Sequence, residues 1–150
     1  MAASRVRPIR EEERQSWLTL RKRLWPDHDP EILERERAQI LADPEHNEVF
    51  VALGAEGDLI GFLEVSIRPW AEGCVSEPVG YLEGWYVEPG QRRRGVGRAL
   101  VLAGEAWARS KGCSEMGSDT EGWNEAGQRA HAAVGYREAI RLVCFSKQLV

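Results

Sequence analysis

A strand-like run, Tyr81-Leu82-Glu83-Gly84-Trp85-Tyr86-Val87, is followed at once by the turn Glu88-Pro89-Gly90-Gln91-Arg92-Arg93-Arg94-Gly95-Val96-Gly97-Arg98 and then by an amphipathic helix. No other stretch constrains the fold as much. The first run is rich in aromatic and β-branched side chains, as strands are. Beyond the turn, Val96, Leu100, Ala103 and Trp107 recur at helical spacing as far as Lys111. A basic, glycine-containing turn therefore joins a strand to the first turn of a helix. Unpaired backbone N–H groups point out of a helix N-terminus, and the helix dipole adds partial positive charge there. Gly95 and Gly97 lack a Cβ, so a phosphate can approach that backbone closely. Arg92, Arg93, Arg94 and Arg98 surround it with positive charge. The expectation is a pyrophosphate cradle.

The two common nucleotide motifs do not fit this turn. A P-loop needs Lys-Ser or Lys-Thr after its second glycine, where this chain has Arg98-Ala99, and a dinucleotide fingerprint needs a third glycine where Leu100 stands. At 150 residues, 43% hydrophobic and 29% charged, the chain reads as one globular domain spanning 1–150. The N-terminal Met-Ala-Ala-Ser-Arg-Val-Arg-Pro has no apolar core of leader length, and no apolar run approaches a membrane span. Cys74, Cys113 and Cys144 are far apart and form no metal-ligand pair, which suits three reduced thiols in a cytoplasmic protein and no metal. Charge is unevenly distributed. From Glu31 to Gly90 there are thirteen carboxylates against three arginines, whereas Gln91 to Ser110 holds five arginines against Glu105 alone. One part of the chain suits a cation and the other an anion. An acidic chain with one local basic patch does not read as a nucleic-acid binder.

The remaining elements alternate without repeats. Val6 to Arg10 is a short strand, Glu12 to Leu24 a helix stopped by Pro26, and Asp29-Pro30 starts a second helix that runs to about Leu41. Glu48–Leu53 and Leu59–Ile67 flank a turn and predict an antiparallel hairpin. After the central strand and helix come a strand at Glu115–Asp119, a helix at Asn124–Val134 closed by Gly135, and a last apolar strand at Ile140–Phe145.

Arg92-x-x-Gly95-x-Gly97, between a strand and a helix, resembles the acetyl-CoA motif of the GCN5-related N-acetyltransferases (GNAT). The order of elements resembles that superfamily over nearly the whole chain. The resemblance implies the GNAT acyl-CoA acyltransferase fold. This is an α/β (α+β) architecture with a mixed, mostly antiparallel central sheet, flanked by helices and opened by a splayed strand pair. Here the pair would be Tyr81–Val87 and Glu115–Asp119, with Gly84 at the bulge that separates them. It also implies acetyl-CoA as co-substrate, held by Trp85, Tyr86, Val87, Arg92, Arg93, Arg94, Gly95, Val96, Gly97, Arg98, Asn124 and His131.

Four further segments narrow the resemblance: Leu20-Arg21-Lys22-Arg23-Leu24-Trp25-Pro26, Leu82-Glu83-Gly84, Gly112-Cys113 with Ser118-Asp119-Thr120, and His131-x-x-x-Gly135-Tyr136. Together they resemble the aminoglycoside 6′-N-acetyltransferases. That group implies an aminoglycoside substrate contacted by Trp25, His28, Trp70, Glu83 and Asp119, and assembly as a homodimer. A polyhydroxylated polycation calls for carboxylates and flat aromatic faces, which these residues offer. Transfer would be direct, with Asp119 or Glu83 accepting the proton of the attacking amine and a strand N–H near Trp85 meeting the developing oxyanion. Many GNAT enzymes carry a tyrosine where this chain has His131, placed to protonate the thiolate. A histidine, which titrates near neutral pH, can take that role or simply pack beside the cofactor. Cys113 has no base at recognisable spacing and is assigned no role. The acidic site suits a polyamine, another small amine or a protein N-terminus as well, and a non-catalytic acetyl-CoA sensor would share the same turn.

Overall fold

The computed structural model describes residues 5–150 and is built on a five-stranded sheet in the spatial order β1-β2-β3-β4-β5. The strands are β1 (Arg5–Pro8), β2 (Asn47–Leu53), β3 (Leu59–Arg68), β4 (Val79–Val87) and β5 (Met116–Ser118). β1 to β4 are successively antiparallel, and β5 joins β4 in parallel. The helices are α1 (Arg14–Leu24), α2 (Pro30–Ala42), α3 (Val96–Ser110) and α4 (Glu125–Ala133). Residues 1–4, part of the segment read above as having no leader core, lie outside the described residues. Among those described, no helix is long and apolar enough to cross a membrane.

The strands alternate apolar side chains between two covered faces, as the period of two requires. On one face Phe50, Ala52, Leu63, Val65 and Leu82 pack with Val96, Leu100 and Val101 of α3. On the other, Val49, Val51, Phe62 and Tyr86 pack with Trp17 and Leu20 of α1. Trp17 and Phe62 are wholly buried. Asp29 caps α2 by accepting from the Glu31 amide at 2.9 Å, and Pro30 occupies its first position, as the dipeptide predicts.

Two features open the sheet where the site forms. β5 pairs only with Gly80, Tyr81 and Leu82, so Glu83 to Val87 have no neighbour on that side of β4. The β3–β4 register also slips: Glu64 faces Gly84 and Val65 faces Leu82, which leaves Glu83 unpaired. The bulge therefore falls at Glu83, one residue before the glycine expected to carry it. It sends Glu83 and Gly84 to the same face of the sheet, because an extra residue breaks the alternation.

The structure corrects the reading of the C-terminal segment. Residues 140–145 form no strand, and Ile140, Leu142, Val143 and Phe145 are 55%, 58%, 79% and 92% exposed. Alternation and apolar content describe a strand only when a second strand is there to pair with, and none of the five pairs with this segment. Smaller differences lie at the ends of elements. The first helix is preceded by a 3-10 turn at Glu11–Glu13, β4 starts at Val79, and β5 is three residues long.

Candidate active site

The basic turn is built as a helix N-terminus without a side-chain cap. Gly95 stands at the N-cap with φ +81° and Arg93 has φ +63°. Both lie in the left-handed region, which a glycine enters freely and an arginine does not. Since no side chain caps α3, its leading amides remain available to a ligand. A Cβ at Gly97 would come within 3.1 Å of the Trp85 ring, so the helix start and β4 meet there at close range. Of the four arginines, Arg92 donates to the Val87 carbonyl at 2.8 Å and Arg98 to the Ala133 carbonyl at 2.6 Å. Arg98 thereby ties the start of α3 to the end of α4. Arg93 and Arg94 are exposed and donate to no described residue. Val96 is a buried core residue of the first helical turn.

Beside the turn, Trp85 packs edge-on to His131, ring centroids 5.5 Å apart, and its indole N–H is buried without a partner. Trp85 and Val87 pack on the α3 face, and Tyr86 lies on the opposite one. His131 Nδ1 lies 2.7 Å from the Gly127 carbonyl, which can only accept, so this nitrogen carries the proton. Nε2 lies 2.8 Å from the Ser118 hydroxyl oxygen, which is also 3.3 Å from the Leu82 carbonyl that it can donate to. Ser118 ends β5 at the mouth of the splay. Asn124 is the N-cap of α4: its Oδ1 accepts from the Gly127 amide at 2.9 Å and its Nδ2 donates to Thr120 at 3.1 Å.

The acidic half of the site lies on the α1/α2 face. A cavity of about 530 Å³ is lined there by Trp25, His28, Glu83, Glu64, Arg21, Glu36, Asp43 and Asn47, among others. Trp25 and His28, from the end of α1 and the turn after it, have ring centroids 6.0 Å apart. The Arg21 guanidinium sits 4.9 Å from the centre of the Trp25 ring and fixes its plane. Of the five residues expected against the acceptor, the cavity thus brings together Trp25, His28 and Glu83. Trp70 lies in the loop after β3, 61% exposed and outside the lining, and Asp119 stands just beyond β5.

Glu83 and Asp119 are linked through two other side chains. Arg68 holds both oxygens of Glu83, Nε to Oε1 at 2.9 Å and Nη2 to Oε2 at 2.7 Å, and Ser66 donates to Oε1 at 2.6 Å. The same guanidinium lies 3.5 Å above the Tyr81 ring, and the Tyr81 hydroxyl donates to Asp119. Burial opposes the Arg68 charge, but the hydrogen bonds and charge of Glu83 outweigh it and raise its pKa. Burial, then the bond to Asp119, pushes the Tyr81 phenol well above its ordinary range. Tyr81 is therefore a donor to Asp119 and stays neutral.

Sequence reasoning did not find Glu64, Arg21, Glu36 of α2 or Asp43 just beyond that helix. A glutamate inside the apolar run Leu59–Ile67 is itself a signal, since an inward charge needs a partner. That partner, Arg21, lies 43 residues away. Among the described residues no group of three or more His, Cys, Asp or Glu side chains is arranged to hold a metal ion.

The model of the acetyltransferase (GNAT) family matches residues 9–136. An aminoglycoside N(6′)-acetyltransferase type 1 from Klebsiella aerogenes is 45% identical over 96% of this chain and 96% of its own length. One of the same description from Stenotrophomonas maltophilia is 42% identical over 99% of this chain and 95% of its own. Among solved structures, AAC(6′)-Iy in complex with the bisubstrate analogue CoA-S-monomethyl-acetylneamine superposes with a TM-score of 0.90 at 36% identity, covering 98% of this chain and 99% of that one. The apo aminoglycoside 6′-N-acetyltransferase AAC(6′)-IG from Acinetobacter haemolyticus also superposes at 0.90, with 33% identity over 97% and 99% of the two chains.

Proposed function

The chain belongs to the GNAT family of acetyltransferases, and from that premise we propose that it transfers the acetyl group of acetyl-CoA to the 6′-amine of aminoglycosides, inactivating them. The observation that carries this reading is the placement of an uncapped, arginine-rich helix N-terminus and an acidic, tryptophan-lined cavity around the same open strand, β4.

The residues present fit the co-substrate. The leading amides of α3, with Arg93, Arg94 and the Cβ-free surface of Gly95, would receive the pyrophosphate, and Gly97 lets the helix start close on Trp85. The unpaired edge of β4 from Glu83 to Val87 receives the amides of the pantetheine arm as an added strand would. Acetyl-CoA supplies the thioester. The protein's part is to orient the amine, take its proton and balance charge. Trp25, His28 and Trp70 offer surface to the sugar rings, and the carboxylates hold the ammonium groups. Only the neutral amine attacks; Asp119, whose Oδ2 is taken by Tyr81, offers its other oxygen as proton acceptor. An N–H on the open edge near Trp85 meets the developing oxyanion. The Ser118–His131 pair stands where a proton can be returned to the departing thiolate.

We further propose that the protein is a cytoplasmic homodimer acting as one domain over 1–150. Three free cysteines suit a reducing compartment, and the exposed apolar segment 140–145 suits pairing with a second copy.

The test is product mapping. Neamine, which carries a 6′-amine, should be acetylated at that nitrogen, and paromamine, with a 6′-hydroxyl, should not be. Acetyl on a different amine of neamine, or turnover confined to polyamines, would replace this reading.

A further inference from the structure

Glu64 is 2% exposed and lies on the cavity side of β3, yet the protein uses only one of its two oxygens. Oε1 accepts from Trp17 Nε1 at 3.1 Å and from Arg21 Nε at 2.5 Å. Oε2 accepts from no described residue. That free oxygen is directed at Gly84: a Cβ there would lie 2.9 Å from it and 2.8 Å from the edge of the Trp25 indole. Because position 84 has no side chain, the oxygen stays uncovered beside Trp25.

The other carboxylates of the cavity are already provided for. Glu83 is bidentate with Arg68, and Asp43 is half exposed and pairs with His46. Glu36 is also half exposed and shares Arg21 with Glu64. The lining as a whole holds four carboxyl groups against a single guanidinium. Oε2 is not among the wholly buried unpartnered atoms, so it keeps a face on the cavity, and the charge-assisted bond of an N⁺–H is the strongest that it could accept there.

We propose that Glu64 Oε2 accepts a hydrogen bond from an ammonium group of the bound aminoglycoside, which makes Glu64 a specificity-determining residue of the acceptor site. This rests on the reading of the acceptor given above. The Trp25 indole edge at the same Gly84 window supplies the apolar wall against which the sugar lies.

Glu64→Gln keeps the side-chain shape and an oxygen for Trp17 and Arg21, but turns an NH₂ toward Gly84. Its KM and calorimetric Kd for neamine should rise by roughly tenfold or more, with the KM for acetyl-CoA unchanged. An unchanged KM for neamine in a folded variant overturns the assignment of Glu64 alone, whereas failure of the wild-type protein to acetylate neamine overturns the functional reading itself. Should the variant not fold, wild-type protein labelled with ¹³C at the glutamate carboxyl carbons answers the same question. Glu64 is the buried glutamate among the described residues, so its resonance resists a soluble paramagnetic agent. That resonance should shift on saturation with neamine, and a protected resonance that stays in place overturns the proposal.

Discussion

At the scale of single residues, the two carboxylates expected to do the chemistry have different neighbours, and these assign them different work. Glu83 spends both oxygens on Arg68, with Ser66 on one of them as well, so its charge is largely balanced before any substrate arrives. Asp119 has one oxygen on the Tyr81 hydroxyl and the other free of described partners. Asp119→Asn should therefore lower kcat by about a hundredfold or more, the ordinary worth of a positioned proton acceptor, while KM for the aminoglycoside changes little. Glu83→Gln should raise that KM only a few-fold, because a partly exposed ion pair is worth about 1 kcal/mol. Steady-state kinetics on the two variants checks both halves. Near-normal kcat in Asp119→Asn would pass the proton to another route. Both carboxylates were candidates from the sequence, but the neighbours that distinguish them were not legible there: Arg68 and Tyr81 reach them from other positions on the sheet.

At the scale of elements, the strand–turn–helix unit of β4 and α3 was the part most fully readable in advance. Its signals are local: a β-rich run, glycines where φ is positive or backbone meets a ring, and a periodic apolar face. Gly97→Asp would drive a Cβ to 3.1 Å from Trp85 and place a carboxylate at the amides of the helix start. Acetyl-CoA binding, measured by calorimetry, should be lost, while neamine binding in the cavity on the other face of β4 should survive. Retained acetyl-CoA affinity would remove the phosphate cradle from the functional reading. The bulge was less readable. Gly84 marked its place, yet the unpaired residue is Glu83, because register depends on how β3 meets β4 and not on β4 alone.

At the scale of the whole molecule, the basic turn and an acidic cavity lie on opposite faces of one open strand. The C-terminal segment is the part that a single copy leaves unresolved in energy: Val143 and Phe145 are 79% and 92% exposed. In the proposed dimer they would be buried, each worth roughly 1.5–3 kcal/mol. Sedimentation equilibrium should report twice the chain mass, and Phe145→Asp should shift the population toward the single chain without loss of β-sheet signal. A wild-type protein that stays at the single-chain mass would return the segment to a solvated tail.

The sequence by itself determined the order of elements from β1 to α4, the glycine turn that opens α3, and Trp25, His28, Glu83 and Asp119 as candidates. Each of these is written in side-chain types and spacings over a few residues. Only the tertiary structure decided which carboxylate oxygens remain free. Arg68 neutralises Glu83 across a strand pair, Arg21 reaches Glu64 from another element, and the missing Cβ at Gly84 makes room for Glu64 Oε2 and the Trp25 ring side by side. Hydrogen-bond satisfaction of buried charge is settled between residues distant in the chain, so no local pattern carries it.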